Sequence, residues 1–199
     1  MDEHDKRRVG EQIEPAGRQK APGRLALVQR FVNTRLHGLD IDRLDTAAKA
    51  HIWLRANRLL PRGARFDDAD AARLRSLREA LRALAVANRG AGLDQSPHAE
   101  LNRMARTATL RIHFDEAATS LVPASRGIDA AIATLLGIVH EAQLTGEWSR
   151  LKPCRECTYA FFDRSKNRSA AWCSMSICGN RAKNRAYRQR RSKKTPPSP

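Results

Sequence analysis

Residues 153–191 read PCRECTYAFFDRSKNRSAAWCSMSICGNRAKNRAYRQRR and hold all four cysteines of the chain. The cysteines fall as Cys154-x2-Cys157, then fifteen residues, then Cys173-x4-Cys178. Two close thiol pairs on separate turns form the donor pattern of a tetrahedral structural metal site. No histidine lies beyond His140 to join or replace them. The expected site is one structural zinc ion held by Cys154, Cys157, Cys173 and Cys178, with no coordination position left for water. A thioredoxin-like redox pair or an iron–sulfur centre is the weaker reading, because no βαβ pattern surrounds the CxxC. Ordinary core cysteines are the weakest.

Positive charge gathers around the same stretch. Residues 149–199 carry 14 Lys and Arg against 2 acids, so they hold +12 of the chain's +16 and leave +4 to the first 148 residues. A field of that sign attracts polyanions at long range. After Cys178 the run GNRAKNRAYRQRRSKK favours a helix and stops before Pro196. Arg181, Arg185 and Arg188 recur at i, i+4, i+7, while Lys183, Arg190 and Arg191 widen that face. Between the cysteine pairs Arg164, Lys166 and Arg168 stand in a basic turn within reach of phosphates. Asn180, Asn184 and Gln189 are the side chains of the run suited to adenine. Tyr159, Phe161, Phe162 and Trp172 read as a small core beside the metal rather than as base-stacking platforms. Double-stranded DNA is the expected partner, and structured RNA or the ribosome is the alternative.

The rest of the chain must supply the main core. With 41% hydrophobic and 5% aromatic residues, a core of Leu, Ala, Ile and Val suits helices better than a β-sandwich. The expected fold is mainly α with a small β-hairpin: a helical N-terminal domain, then a four-cysteine module ending in a basic helix. Leu25, Val28, Phe31, Val32 and Leu36 mark a first helix stopped by Gly38. Asp45 or Thr46 caps a second helix running through about Leu60, with His51 turned to solvent. Asp67 or Asp68 caps a third, ended by Gly90 and Gly92, whose Arg73, Arg75, Arg78 and Arg82 read as a solvated face. Ser96-Pro97 opens a short helix to Ala105. Leu110, Ile112 and Phe114 alternate with Arg111 and His113 and pair with a returning strand at Thr119–Pro123. Ile128 to Ala142 forms a long helix. The expected division is a disordered arm at 1–22, the helical domain at 23–147, the cysteine module at 148–192 and a disordered tail at 193–199.

The N-terminus is polar and lacks the apolar run of a signal peptide. No stretch approaches the roughly 20 consecutive apolar residues of a membrane span. A cytoplasmic, reducing setting without membrane contact follows as the expectation, and it favours metal over disulfides. Asn33 and Thr34 interrupt an apolar helix, where they either line a ligand pocket or bond to nearby backbone and bend the helix.

The cysteine stretch resembles the CGNR zinc finger, named for the tetrapeptide that is Cys178-Gly179-Asn180-Arg181 in this chain. Phe162-Asp163, Ser165-Lys166-Asn167-Arg168 and Trp172-Cys173-Ser174-Met175 stand in the family's order. Leu27-Val28-Gln29-Arg30-Phe31-Val32-Asn33-Thr34 is similar to the L-x-x-x-FVNT segment that opens the helical ABATE domain preceding such fingers. The resemblance spans about residues 23–192. It implies zinc at the four cysteines and a bacterial, stress-induced, DNA-binding transcription regulator. The family offers no established ligand for the helical domain, which is expected to sense an effector, such as an unidentified small molecule, or to form a homodimer. Many members space the first two cysteines by four residues rather than two, and the shorter spacing still makes a good metal knuckle. No nucleotide loop, nucleophile elbow or HExxH stands in the chain. His140 and Glu141, adjacent on a helix, point different ways, and His113 beside Asp115 and Glu116 reads as a surface or core histidine, so no enzyme is expected.

Overall fold

Leu25, Val28, Phe31 and Val32 fall on one helical stripe, and all four are buried in α1 (Leu25–Val32). The computed structural model describes residues 18–37, 40–90, 96–116 and 118–192. The Gly38 stop lies outside them, as do Gly92 and residues 1–17 and 193–199. A short antiparallel pair not anticipated from sequence follows α1, with β1 (Arg35–Leu36) against β2 (Ile41–Asp42). Thr46 then caps α2 (Ala47–Ala56) by accepting from the Lys49 N–H.

Helix α2 stops four residues before the expected Leu60. Arg58 takes a left-handed φ of 57°, the Leu59 N–H donates to Leu54 O at 2.9 Å and the Arg58 N–H to Arg55 O at 3.1 Å. These are the two bonds of a Schellman C-terminus. An arginine occupies the position that glycine usually fills, which is why the stop is hard to see in the sequence. Leu60 is buried all the same. His51 also departs from expectation: it is half-buried, stacks on Phe66 with ring centroids 5.9 Å apart, and its Nε2 is shut from solvent.

Helix α3 (Asp68–Ala87) opens with a reciprocal capping box between Asp67 and Asp70. Leu74, Leu77, Leu81, Leu84 and Ala85 are buried as the stripe predicts. The arginine face is not solvated. Arg78 is 2% and Arg82 9% exposed, Arg73 pairs with Asp129, and Arg75 donates to Leu44 O. Helix α3 packs against α1, α2 and the elements that follow, so its polar side is covered too. Helix α4 (Ser96–Ala105), strands β3 (Leu110–Phe114) and β4 (Thr119–Pro123), and helix α5 (Gly127–Leu144) follow as expected. β3 pairs with β4 in the register Ile112 to Leu121. Ile112 and Phe114 nonetheless stay exposed, and the hairpin meets the core through Leu110.

A 3₁₀ turn at Trp148–Arg150 leads into β5 (Leu151–Pro153), paired antiparallel with β6 (Ala160–Phe162). Trp148, Leu151, Ala160 and Phe162 join the hydrophobic cluster of the helices. Residues 18–22, expected to belong to the arm, are packed as well. Ala21 is buried, Gln19 O accepts the Phe162 N–H, and Arg18 lies over the Tyr159 ring. The chain closes with a π-helical turn, Met175–Gly179, continuous with α6 (Asn180–Ser192).

Candidate metal centre and basic surface

The turn from β5 to β6 carries Cys154 and Cys157. The Glu156 N–H points at Cys154 Sγ from 3.5 Å and the Thr158 N–H donates to Cys154 O, so the backbone closes into a knuckle with Thr158 at a φ of 60°. The second pair is built differently. In the wide turn Met175–Gly179 both the Cys178 and Gly179 N–H groups donate to Ser174 O, at 2.9 and 3.0 Å. That turn swings Cys178 back toward Cys173, which accounts for four intervening residues instead of two. A Cβ on Gly179 would lie 3.0 Å from Met175 Sδ and 3.5 Å from Trp172 Cδ1, a contact that the exposed Met175 side chain can relieve by moving.

Together the turns bring all four Sγ atoms within 4.8 Å of one another. Cys157, Cys173 and Cys178 stand at mutual distances of 3.6 Å. Ligand bonds of about 2.3 Å in a tetrahedron place sulfurs about 3.8 Å apart, so the cluster fits one ion. Cys154, Cys173 and Cys178 are buried and Cys157 half-buried. Among thiols alone the negative charge is confined. Hydrogen bonds from Cys157 and Cys173 pull Cys154 far down, the same network pushes Cys173 far up, and burial raises Cys178 to about 11. A divalent cation held by Cys154, Cys157, Cys173 and Cys178 would replace thiol protons, and its binding energy would become folding energy for the module.

Tyr159 and Phe161 pack on the cysteines, with Trp172 and Ile177 at the margin. Leu36 and Ile41 reach the same cluster from β1 and β2, whereas Phe162, expected in this small core, packs in the main cluster with the helices instead. Behind it lies an ion pair that sequence reasoning missed: Lys152, 4% exposed, donates to Asp163, which is fully buried, at 2.9 Å. Asp163 also accepts from Ser165 N, Ser165 Oγ and Ala170 N. Burial by itself would raise its carboxyl, but the bonds from Ser165 and Lys152 outweigh that and hold it below the ordinary value.

The helical part grips the module's backbone. β6 pairs with β5 on one side, and on the other Asn33 Nδ2 donates to Ala160 O while Ala160 N donates to Asn33 Oδ1. Gln29 Nε2 adds a second donor to Ala160 O. Arg82 donates to Thr158 O, Val32 O and Arg35 O, and Asn88 to Trp148 O and Leu151 O. The polar groups of Asn33 and Thr34 are therefore committed to protein partners rather than to a ligand pocket. Thr34 Oγ1 bonds Phe31 O and accepts from Arg78. Gln29 and Asn33, four residues apart on an apolar helix, were the available signal for this contact.

The basic residues form two groups. Arg164, Lys166 and Arg168 follow β6 at the end of the hairpin away from the knuckle, where Arg164 donates to Lys20 O and Arg168 to Ser149 Oγ. Arg181, Lys183, Arg185, Arg188, Arg190 and Arg191 project from α6 and are exposed, as is Asn180. Arg185 pairs with Glu156 of the first knuckle, which ties the helix to the metal site.

Comparison with protein families matches residues 150–191 to the CGNR zinc finger. Residues 25–142 match ABATE, described as "Putative stress-induced transcription regulator". No curated protein matches the chain. Among the described residues no helix is long and apolar enough to cross a membrane.

Proposed function

The chain belongs to the ABATE family and ends in a CGNR zinc finger, and from that premise we propose that it is a DNA-binding regulator whose finger holds one structural zinc ion. Cys154, Cys157, Cys173 and Cys178 would hold the metal, and zinc suits four thiolates in a closed site that performs no chemistry. The observation that carries the reading is α6. Six cations stand between Arg181 and Arg191 with no acid among them, on an exposed helix rooted in the cysteine cluster. Such a helix repels itself, and a phosphate backbone relieves that repulsion. Arg164, Lys166 and Arg168 add phosphate contacts from the far end of the hairpin. The helical part is the regulatory half, because changes in α1 or α3 reach the finger through Asn33, Gln29 and Arg82.

The test is binding of full-length, zinc-loaded protein to a duplex selected from a random pool, to scrambled duplex and to structured RNA across a salt series. The selected duplex is expected to bind best, with log affinity falling steeply against log salt. Equal affinity for RNA would instead support the RNA- or ribosome-associated alternative.

A further inference from the structure

Building on the DNA-binding reading, we infer that α6 reads bases with the face centred on Asn184 and Tyr187, and that Arg181, Arg185 and Arg188, the face most prominent in the sequence, serve attachment and phosphate contact.

Two observations fix which way the helix is turned. Arg185 donates to the Glu156 carboxylate, itself 10% exposed in the first knuckle. Ala182 is the one half-buried residue from Arg181 to Arg191. At about 100° per residue these two share the side of α6 that looks back at the finger. Arg181 and Arg188 lie within a quarter turn of both Arg185 and Asn184, so they occupy the flank between the side held to the finger and the outward side. Tyr187 points nearly opposite to the Ala182–Arg185 side, and it is 57% exposed. Asn180, Asn184, Tyr187 and Arg191 recur at i, i+4, i+7, i+11 and form one outward stripe, flanked by Lys183 and Arg190.

The chemistry of that stripe differs from the rest of the helix. Asn180 is partly engaged, its amide donating to Ser176 O at 3.0 Å, which leaves Asn184 and Tyr187 at the centre. An asparagine amide matches the N6/N7 edge of adenine, and an apolar ring edge suits the thymine methyl in the same groove. Lys183 and Arg190 on one flank, and Arg181 and Arg188 on the other, lie where phosphates rim a helix seated in a major groove about 12 Å wide. A site with an A·T pair under the middle of α6 is the partner this face fits.

The experiment uses the full-length, zinc-loaded protein and a duplex selected with the wild type. Affinities for selected and scrambled duplex are measured for Asn184→Ala, Tyr187→Ala and Arg188→Ala across salt. Both outward side chains are exposed, so unchanged zinc content and thermal midpoint are expected for those variants. Asn184→Ala and Tyr187→Ala are expected to weaken selected-site binding roughly ten- to hundredfold while scrambled-site affinity changes less than about twofold. Arg188→Ala is expected to weaken both alike and to make the salt slope shallower by about one. If the two outward variants keep the selected-to-scrambled ratio while Arg188→Ala collapses it, the assignment of faces is overturned. A wild type that selects no sequence overturns the DNA-regulator reading first, and this inference with it.

Discussion

Asn33 and Ala160, 127 residues apart, exchange two hydrogen bonds of 2.8 Å in the buried seam between α1 and β6. The asparagine side chain thereby does for the outer edge of β6 what a third strand would do. Asn33→Ala leaves the Ala160 N–H without a partner, whereas Ala160 O keeps its bond from Gln29. A loss of about 1–3 kcal/mol is expected, read as a lower urea midpoint. An unchanged midpoint would show that the seam contributes nothing.

Arg78 donates twice to Asp42, at 2.6 and 2.9 Å, and is nearly inaccessible. Arg78→Ala removes two of the bonds to the Asp42 carboxylate and leaves it the Leu44 N–H at 2.9 Å and Arg35 at 3.3 Å, so a loss of about 1–3 kcal/mol is expected. Thermal unfolding of the variant measures it. A midpoint within a degree or two of wild type would return α3 to the solvated-face reading.

The same pair sets an acid limit. Burial would raise the Asp42 carboxyl, but hydrogen bonds from Arg78 and from the Leu44 N–H outweigh it and leave the folded value lowered. A lowered carboxylate stabilises the fold above its unfolded pKa of about 3.9, and that stability is lost as pH falls through the folded value. The stability gap between wild type and Asp42→Asn is therefore expected to be full at neutral pH and to shrink below about pH 4. A gap that widened on acidification would reverse the sign.

Removing metal is expected to melt the finger. Cys173→Ser, or treatment of the wild type with a strong chelator, should lower bound zinc from about one per chain toward zero and collapse the near-ultraviolet circular dichroism of Trp172. Native signal with no bound metal would contradict the structural role.

At the end of α2, Arg58 is exposed and holds a φ of 57°, a conformation that costs a non-glycine residue about 1–2 kcal/mol. Arg58→Gly removes that cost but gains freedom in the unfolded chain. A net gain of about 0.5–1 kcal/mol is expected. A lower melting temperature for the variant would contradict the Schellman assignment.

What the sequence determined by itself was local. Four thiols at short spacing have few ways to avoid one another, so the Cys154–Cys178 cluster was legible from spacing. The Asp67 cap and the apolar stripes of α1, α3 and α5 follow from near neighbours in the same way. Arg78 and Arg82 were misread, because an arginine on the polar side of a helix looks the same whether it meets water or another element. Only packing against β1, β2 and the cysteine turn decided that. The aim of α6 was likewise undetermined: periodicity groups residues into faces, but it took Glu156 to choose which face turns inward. Charge and spacing are properties of a segment, whereas burial, and the partner a buried polar group must find, belong to the assembled chain.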